Sequence, residues 1–156
     1  MAIEWVNKGG PISEPEINHF ELEHHFRFSK EHRRFLMAFT NGASVSGDAP
    51  IPTEDCPGGA GGLDGVYGIN HQANYLNFAK VIAIFGSGLP YLIPFGYDQG
   101  NGQLFVDMVD LPGRLVYVPY EELGNVPLKP YHVANSISEY FEEAAKLADE
   151  YSNEDS

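Results

Sequence analysis

The stretch LIPFGYDQGNGQLFVDMVD, Leu92 to Asp110, constrains the fold of this chain more than any other. Two apolar runs flank Asp98-Gln-Gly-Asn-Gly102. That polar centre is either a ligand loop or a turn. A calcium loop of the EF-hand kind needs oxygen ligands at its first, third and fifth positions, glycine at the sixth and glutamate at the twelfth. Counted from Asp98, the last four of these are Gly100, Gly102, Gln103 and Val109, so the pattern fails. No Lys or Arg is present in the loop to hold a phosphate. Asp and Asn tolerate turn conformations and Gly supplies positive φ, so the reading is a β-hairpin with a four- or five-residue loop. Its first strand is Tyr91 to Phe95. Its second, Gln103 to Val109, alternates around Leu104, Val106 and Met108. Asp110-Leu-Pro-Gly113 turns into a third strand, Leu115 to Pro119. Connections this short permit only antiparallel pairing, so the three strands form a meander.

Helices are expected on both sides of it. Ser13 with Glu16 fits a capping box, Ile12 and Ile17 occupy the staple positions, and Pro15 falls in the first turn. That helix is read to His24. A second starts at Ser29 and puts His32, Phe35, Leu36 and Phe39 on one face, with Asn41-Gly42 as its left-handed cap. Residues 43–64 read as irregular and Gly65 to Ile69 as a short strand. Asn74 fits the cap of a helical stretch to Phe85, whose apolar positions also suit a buried strand. The final helix carries an apolar stripe from Val133 through Ile137, Tyr140, Phe141, Ala144, Leu147 and Ala148 to Tyr151. Acids at its C-terminus oppose the helix dipole. The fold class is therefore α+β, an antiparallel sheet with helices N-terminal and C-terminal to it. It forms one domain over residues 1–151, followed by an acidic tail, 152–156, expected to fray. A chain this long buries roughly 70% of its unfolded surface.

The net charge is −13. Residues 1–40 hold 6 acids and 5 bases, 41–138 hold 9 and 3, and 139–156 hold 7 and 1. Such a field repels nucleic acid and anionic lipid and attracts basic partners. A single cysteine, Cys56, excludes an intrachain disulfide and fits a reducing compartment. The opening MAIEWVNKGG lacks the pattern of a secretory leader. Leu76 to Gly96 is long enough to span a membrane, but Lys80, Pro90 and Pro94 interrupt it. The expectation is a cytoplasmic protein with no membrane or nucleic-acid partner.

Little points to catalysis. His19, His24, His25 and His32 lack the spacing of a zinc site on one helical face. Cys56 has no local His to activate it, and a nucleophile would need distant His71 or His132. Gly86-Ser87-Gly88 lacks the nucleophile-elbow pattern. The glycines of residues 58–62 have no following Lys-Ser/Thr and no flanking strand and helix, so they are not a phosphate cradle. Glu54-Asp55 and Glu142-Glu143 read as solvated faces. No catalytic residue, metal or cofactor is expected. Tyr is enriched at protein interfaces. The candidate partner-binding residues are the tyrosines beside acids in and after the meander, Tyr97, Tyr117 and Tyr120, with Asp98, Asp107, Asp110, Glu121 and Glu122.

Several short motifs occur in a recognisable order: Phe35-Leu36 before Asn41-Gly42, Tyr67-Gly68, Ile93-Pro-Phe-Gly-Tyr-Asp98 with Gly102, Val116-Tyr117, and Val133-Ala-Asn-Ser136 with Phe141. In these the chain resembles the SUKH superfamily of the SMI/KNR type, named after cell-wall synthesis regulators. It departs from the family pattern at HHFRFS, between the first two helices, and at Gln103, where an acid is usual. The resemblance implies a binding protein without a shared catalytic constellation. Many bacterial members resemble immunity proteins that neutralise polymorphic toxins, often nucleases or nucleic-acid deaminases. The partner so implied is a basic toxin domain. The alternative it leaves open is an intracellular regulatory scaffold with an endogenous partner.

Overall fold

The structure is a computed structural model that describes residues 3–154, the last four by backbone alone. A seven-stranded antiparallel sheet has its strands in chain order: β1 Glu4–Val6, β2 Ala43–Ser46, β3 Leu63–Val66, β4 Leu92–Asp98, β5 Gln103–Asp107, β6 Arg114–Val118 and β7 Tyr131–Ala134. The α+β class and the meander are as expected. The short strand read at Gly65 to Ile69 is β3, which starts two residues earlier, while β1, β2 and β7 have no counterpart in the sequence reading, β2 lying in the stretch read as irregular. The β4–β5 and β5–β6 ladders form its centre, with Ile93 opposite Val106 and Val106 opposite Leu115.

The helices are α1 Glu14–His24, α2 Lys30–Ala38, α3 Phe78–Phe85 and α4 Ile137–Glu154. One apolar core joins their inner faces to the side chains on one face of the sheet. There Phe95 of β4 meets Phe35 (ring centroids 5.3 Å) and His32 (5.3 Å) of α2. Period-two alternation sends Phe105, Val116 and Val118 to the opposite face. There Leu92 and, from the segment after β6, Leu123 and Leu128 pack against them.

The α1 start is as read. Ser13 Oγ accepts from the Glu16 N–H (3.4 Å), Glu16 Oε1 accepts from the Ser13 N–H (3.2 Å), and Ile12 and Ile17 are both buried. Ser29 caps α2 by accepting from the His32 N–H (3.1 Å).

Other local readings need correction. Asn41-Gly42 does not cap α2, which ends at Ala38 with Phe39 as its C-cap. The Asn41 side chain instead accepts from the Ile69 N–H (2.7 Å) and donates to the carbonyls of Ile69 (2.9 Å) and Gly10 (3.1 Å). Gly42 takes φ +87°, and a Cβ there would stand 2.7 Å from the Gly68 nitrogen. The pair is a latch between α2, β2 and the segment after β3. Phe39 is 67% exposed and lies outside the core. The α3 cap is Asn77, whose Oδ1 accepts from the Ala79 N–H (3.2 Å), while Asn74 opens a short 3-10 turn. Val133 belongs to β7, so the last helix starts four residues later. That helix extends to Glu154, and the remainder of the acidic tail lies outside the described residues.

His32 is fully buried, and neither ring nitrogen has a hydrogen-bond partner. The rings of Phe28 (4.7 Å), Phe95 and Phe78 surround it. Burial holds its pKa down at about 3. The unfolded chain therefore binds this proton first, from about pH 6.5 downward. Its contribution lowers stability by about 1.4 kcal/mol per pH unit until the folded state titrates near 3. His32→Leu is expected to remove that acid slope and to cost nothing at neutral pH, because an unsatisfied polar group is replaced by an apolar one. Urea unfolding of both proteins at a series of pH values checks this. An unchanged slope in the variant would refute it.

Candidate functional site

Asp98, the last residue of β4, is only 2% exposed. Its Oδ1 accepts from the N–H groups of Gly102 (2.7 Å) and Gly100 (3.1 Å). Its Oδ2 accepts from the Gly61 N–H (2.8 Å) and the Tyr117 hydroxyl (2.8 Å). A buried carboxylate is costly unless so partnered. The main chain closes the same turn through Asn101 N–H to Asp98 O (3.0 Å), with Asn101 at φ +64°. Gly102 is required by space, since a Cβ there would stand 2.2 Å from Tyr117 Oη. The stretch that could have been a ligand loop is thus a turn whose carboxylate is saturated from within.

The structure divides the eight candidate residues between the two ends of β5, about 13 Å apart. Tyr97, Asp98, Tyr117, Tyr120, Glu121 and Glu122 belong to the end at Gln103. Asp107 and Asp110 belong to the other. Three of the eight are buried, which corrects their expected place on a contact surface: Asp98, Tyr117 and Asp107. Asp107 accepts from Arg114 Nε (2.8 Å) and the Val109 N–H (2.9 Å), bracing the β5–β6 turn. Tyr97 is half-buried against Tyr67 (5.7 Å), and burial, then Asp64 and Tyr75, push its hydroxyl pKa up to about 12. Glu122 is half-buried and accepts from the Tyr131 hydroxyl (3.2 Å). Tyr120 (62% exposed), Glu121 and Asp110 face solvent. Tyr120 and Glu121 sit on a 3-10 turn that follows β6 directly.

A family model, that of the SMI1 / KNR4 family (SUKH-1), matches residues 11–143. The chain belongs to this family. No curated protein matches it. In this SUKH-1 chain the matched span runs from the α1 cap to the middle of α4, so it takes in the Asp98 turn and the acidic 3-10 turn.

The remaining reactive groups have structural surroundings. Partial burial, then the carboxylates of Glu122, Glu121 and Asp98, raise the Cys56 thiol pKa, which opposes thiolate formation. His71 accepts from the Ala73 N–H at Nδ1 (3.0 Å), so Nε2 carries the proton it gives to the Asn7 carbonyl (2.7 Å). His19 lies 3.6 Å from Glu23 on exposed α1, and the His24 ring packs on Phe20 (4.3 Å). Among the described residues no three metal-ligating side chains come together. No helix among them is long and apolar enough to cross a membrane.

Sequence reasoning missed Gly61 as a partner of Asp98, because that contact closes 37 residues of chain and leaves no local signature. The available signal was Asp98-x-Gly-x-Gly102, in which an acid two and four residues before glycines accepts from their N–H groups. Asp98→Ala is expected to lower stability by about 3 kcal/mol, because four donors lose their acceptor and two of them, the Gly102 N–H and the Tyr117 hydroxyl, are buried. Tyr117→Phe, which removes one donor, should cost about 1 kcal/mol. Urea midpoints measure both, and equal costs would deny the carboxylate its central place.

Proposed function

We propose that this chain neutralises a toxin domain, a nuclease or nucleic-acid deaminase, by binding it directly and occluding it, without chemistry and without a cofactor. Membership of the SUKH-1 family over residues 11–143 carries the reading. The charge supports it. An enzyme that grips a polyanion presents Lys and Arg, and a chain with 22 acids against 9 bases attracts such a surface. The contact residues proposed are the accessible members of the candidate set: Tyr120 and Glu121 at the centre, Glu122 beside them, and Tyr97 two strands away at the same end of the sheet. Asp110, at the far end of β5, is proposed as an outlying member. Tyr120 has the exposure and chemistry of an interface anchor. The setting proposed is the cytoplasm.

The experiment is a tagged pull-down from the native cell at low and moderate salt, followed by co-expression of the captured domain with this chain. The expected outcome is a basic toxin domain whose growth arrest is relieved by the chain. Its association rate should fall about tenfold or more as ionic strength rises. Glu121→Lys should slow association several-fold, and Tyr120→Ala should raise Kd by about tenfold, mostly through faster dissociation. Capture of endogenous envelope or signalling proteins alone, with no toxin relieved, would favour the regulatory scaffold instead.

A further inference from the structure

The sheet ends at β7 on one side and at β1 on the other. At β7 the chain covers its own edge, where the His132 carbonyl accepts from the Glu54 N–H (3.1 Å). At β1 no described strand pairs with the outer side. Beside that open edge runs a groove of about 520 Å³ between β1, α2 and α4. Its walls are aromatic. Phe35 stacks on Phe39 (5.8 Å) and on Phe141 (5.6 Å), and Trp5 meets Phe35 (6.0 Å) and Phe141 (5.7 Å) edge-on. Ile3 and Ile137 complete it, and Phe39 lies open at its mouth.

We propose that β1 and this groove take an extended, basic segment of a partner protein as an eighth strand. The free main-chain groups of β1 select an extended backbone, which they pair by hydrogen bonds. Side-chain parity then fixes the pattern. A residue placed opposite Trp5 points into the groove, which calls for a large apolar or aromatic side chain. Its two neighbours point to the other face, beside exposed Glu4 and Val6. Lys or Arg there meets Glu4 across the strands. The groove rim carries Glu31 and Glu142 against Arg34, and the Glu31 oxygens already bond the Ile137 N–H and Ser138 Oγ. A second copy of the chain would bring −13 against −13, so the charge favours a cationic segment of another protein. This surface is separate from Tyr120 and Glu121, which follow β6, about 24 Å across the sheet. The inference stands whether or not the partner is a toxin.

Trp5 is the only tryptophan of the chain, so its emission reports on the groove. The probe is the peptide Lys-Val-Lys-Phe-Lys-Val-Lys, acetylated and amidated, titrated into the full chain. Two further peptides carry N-methyl groups on alternate nitrogens, in the odd or the even series. They keep the charge and side chains but lose one set of donors. The expected result is a saturable change in Trp5 emission that one N-methyl series abolishes and the other retains. Phe39→Ala, at an exposed position that leaves the core intact, should weaken binding about tenfold. No saturable change up to about 1 mM, equal binding by both N-methyl series, or unchanged affinity in Phe39→Ala would overturn the proposal. Sedimentation of the chain alone gives the remaining test. A dimer lost in Phe39→Ala would assign the groove to a second copy and overturn the basic-segment reading.

Discussion

The buried carboxylate of Asp98 holds three separated pieces of chain at one point: the loop at Gly61, the β4–β5 turn and β6 through Tyr117. Register in a sheet is unforgiving, because a slip of one residue turns every side chain to the wrong face. By fixing the turn between β4 and β5 and tying it to β6, Asp98 determines which residues of these central strands meet the helices. Ile93, Phe95, Leu104, Val106 and Leu115 then line the core, while Phe105, Val116 and Val118 face the other way. The aromatic packing of α2 and α3 on that surface depends on this registration.

What was legible in the sequence is what is decided locally. The α1 capping box, the Ser29 cap and the β4–β5 hairpin each arise from side chains within five residues of one another, and all are present. Strands β1, β2 and β7 have three or four residues each, and their hydrogen bonds come from partners far along the chain. Strand preference at that length is set by context and not by composition. Asn41-Gly42 illustrates the limit. Asn and Gly suit a helix end and a strand latch equally well, and Ile69, 28 residues away, decides between them. Phe39 sits at core spacing on α2, yet the core is already filled by Phe35 and Leu36, and Phe39 stays outside. In the same way Asp98, Asp107 and Tyr117 read as surface residues because their buried partners were out of view.

The acids of this chain do two kinds of work, and net charge does not distinguish them. Glu21 accepts from the Phe28 N–H (2.7 Å) and Arg33 (2.6 Å), closing the link between α1 and α2. Glu31 caps α4, and Asp98 and Asp107 close turns. These carboxylates are spent on the protein's own donors and contribute to a partner only through the long-range field. Glu121 and Asp110 remain accessible for direct contact. In the proposed complex, long-range charge would set the encounter rate and accessible groups such as Tyr120 the lifetime.

The two edges of the sheet pose the same physical problem and meet it differently. An open edge invites pairing with any extended chain, and proteins cover it, shorten it or charge it. At β7 a loop supplies the cover through Glu54. At β1 the strand is short and carries Glu4 on the face away from the aromatic groove. A carboxylate in that place deters a second copy of an acidic chain, since pairing would bring two strongly negative molecules together. It does not deter a segment bearing Lys or Arg, for which the same charge is attractive. In the proposed pairing, one residue would thus act both against self-assembly and as a filter for the sign of the partner. The groove behind Trp5 adds a demand for an apolar side chain in the alternate register.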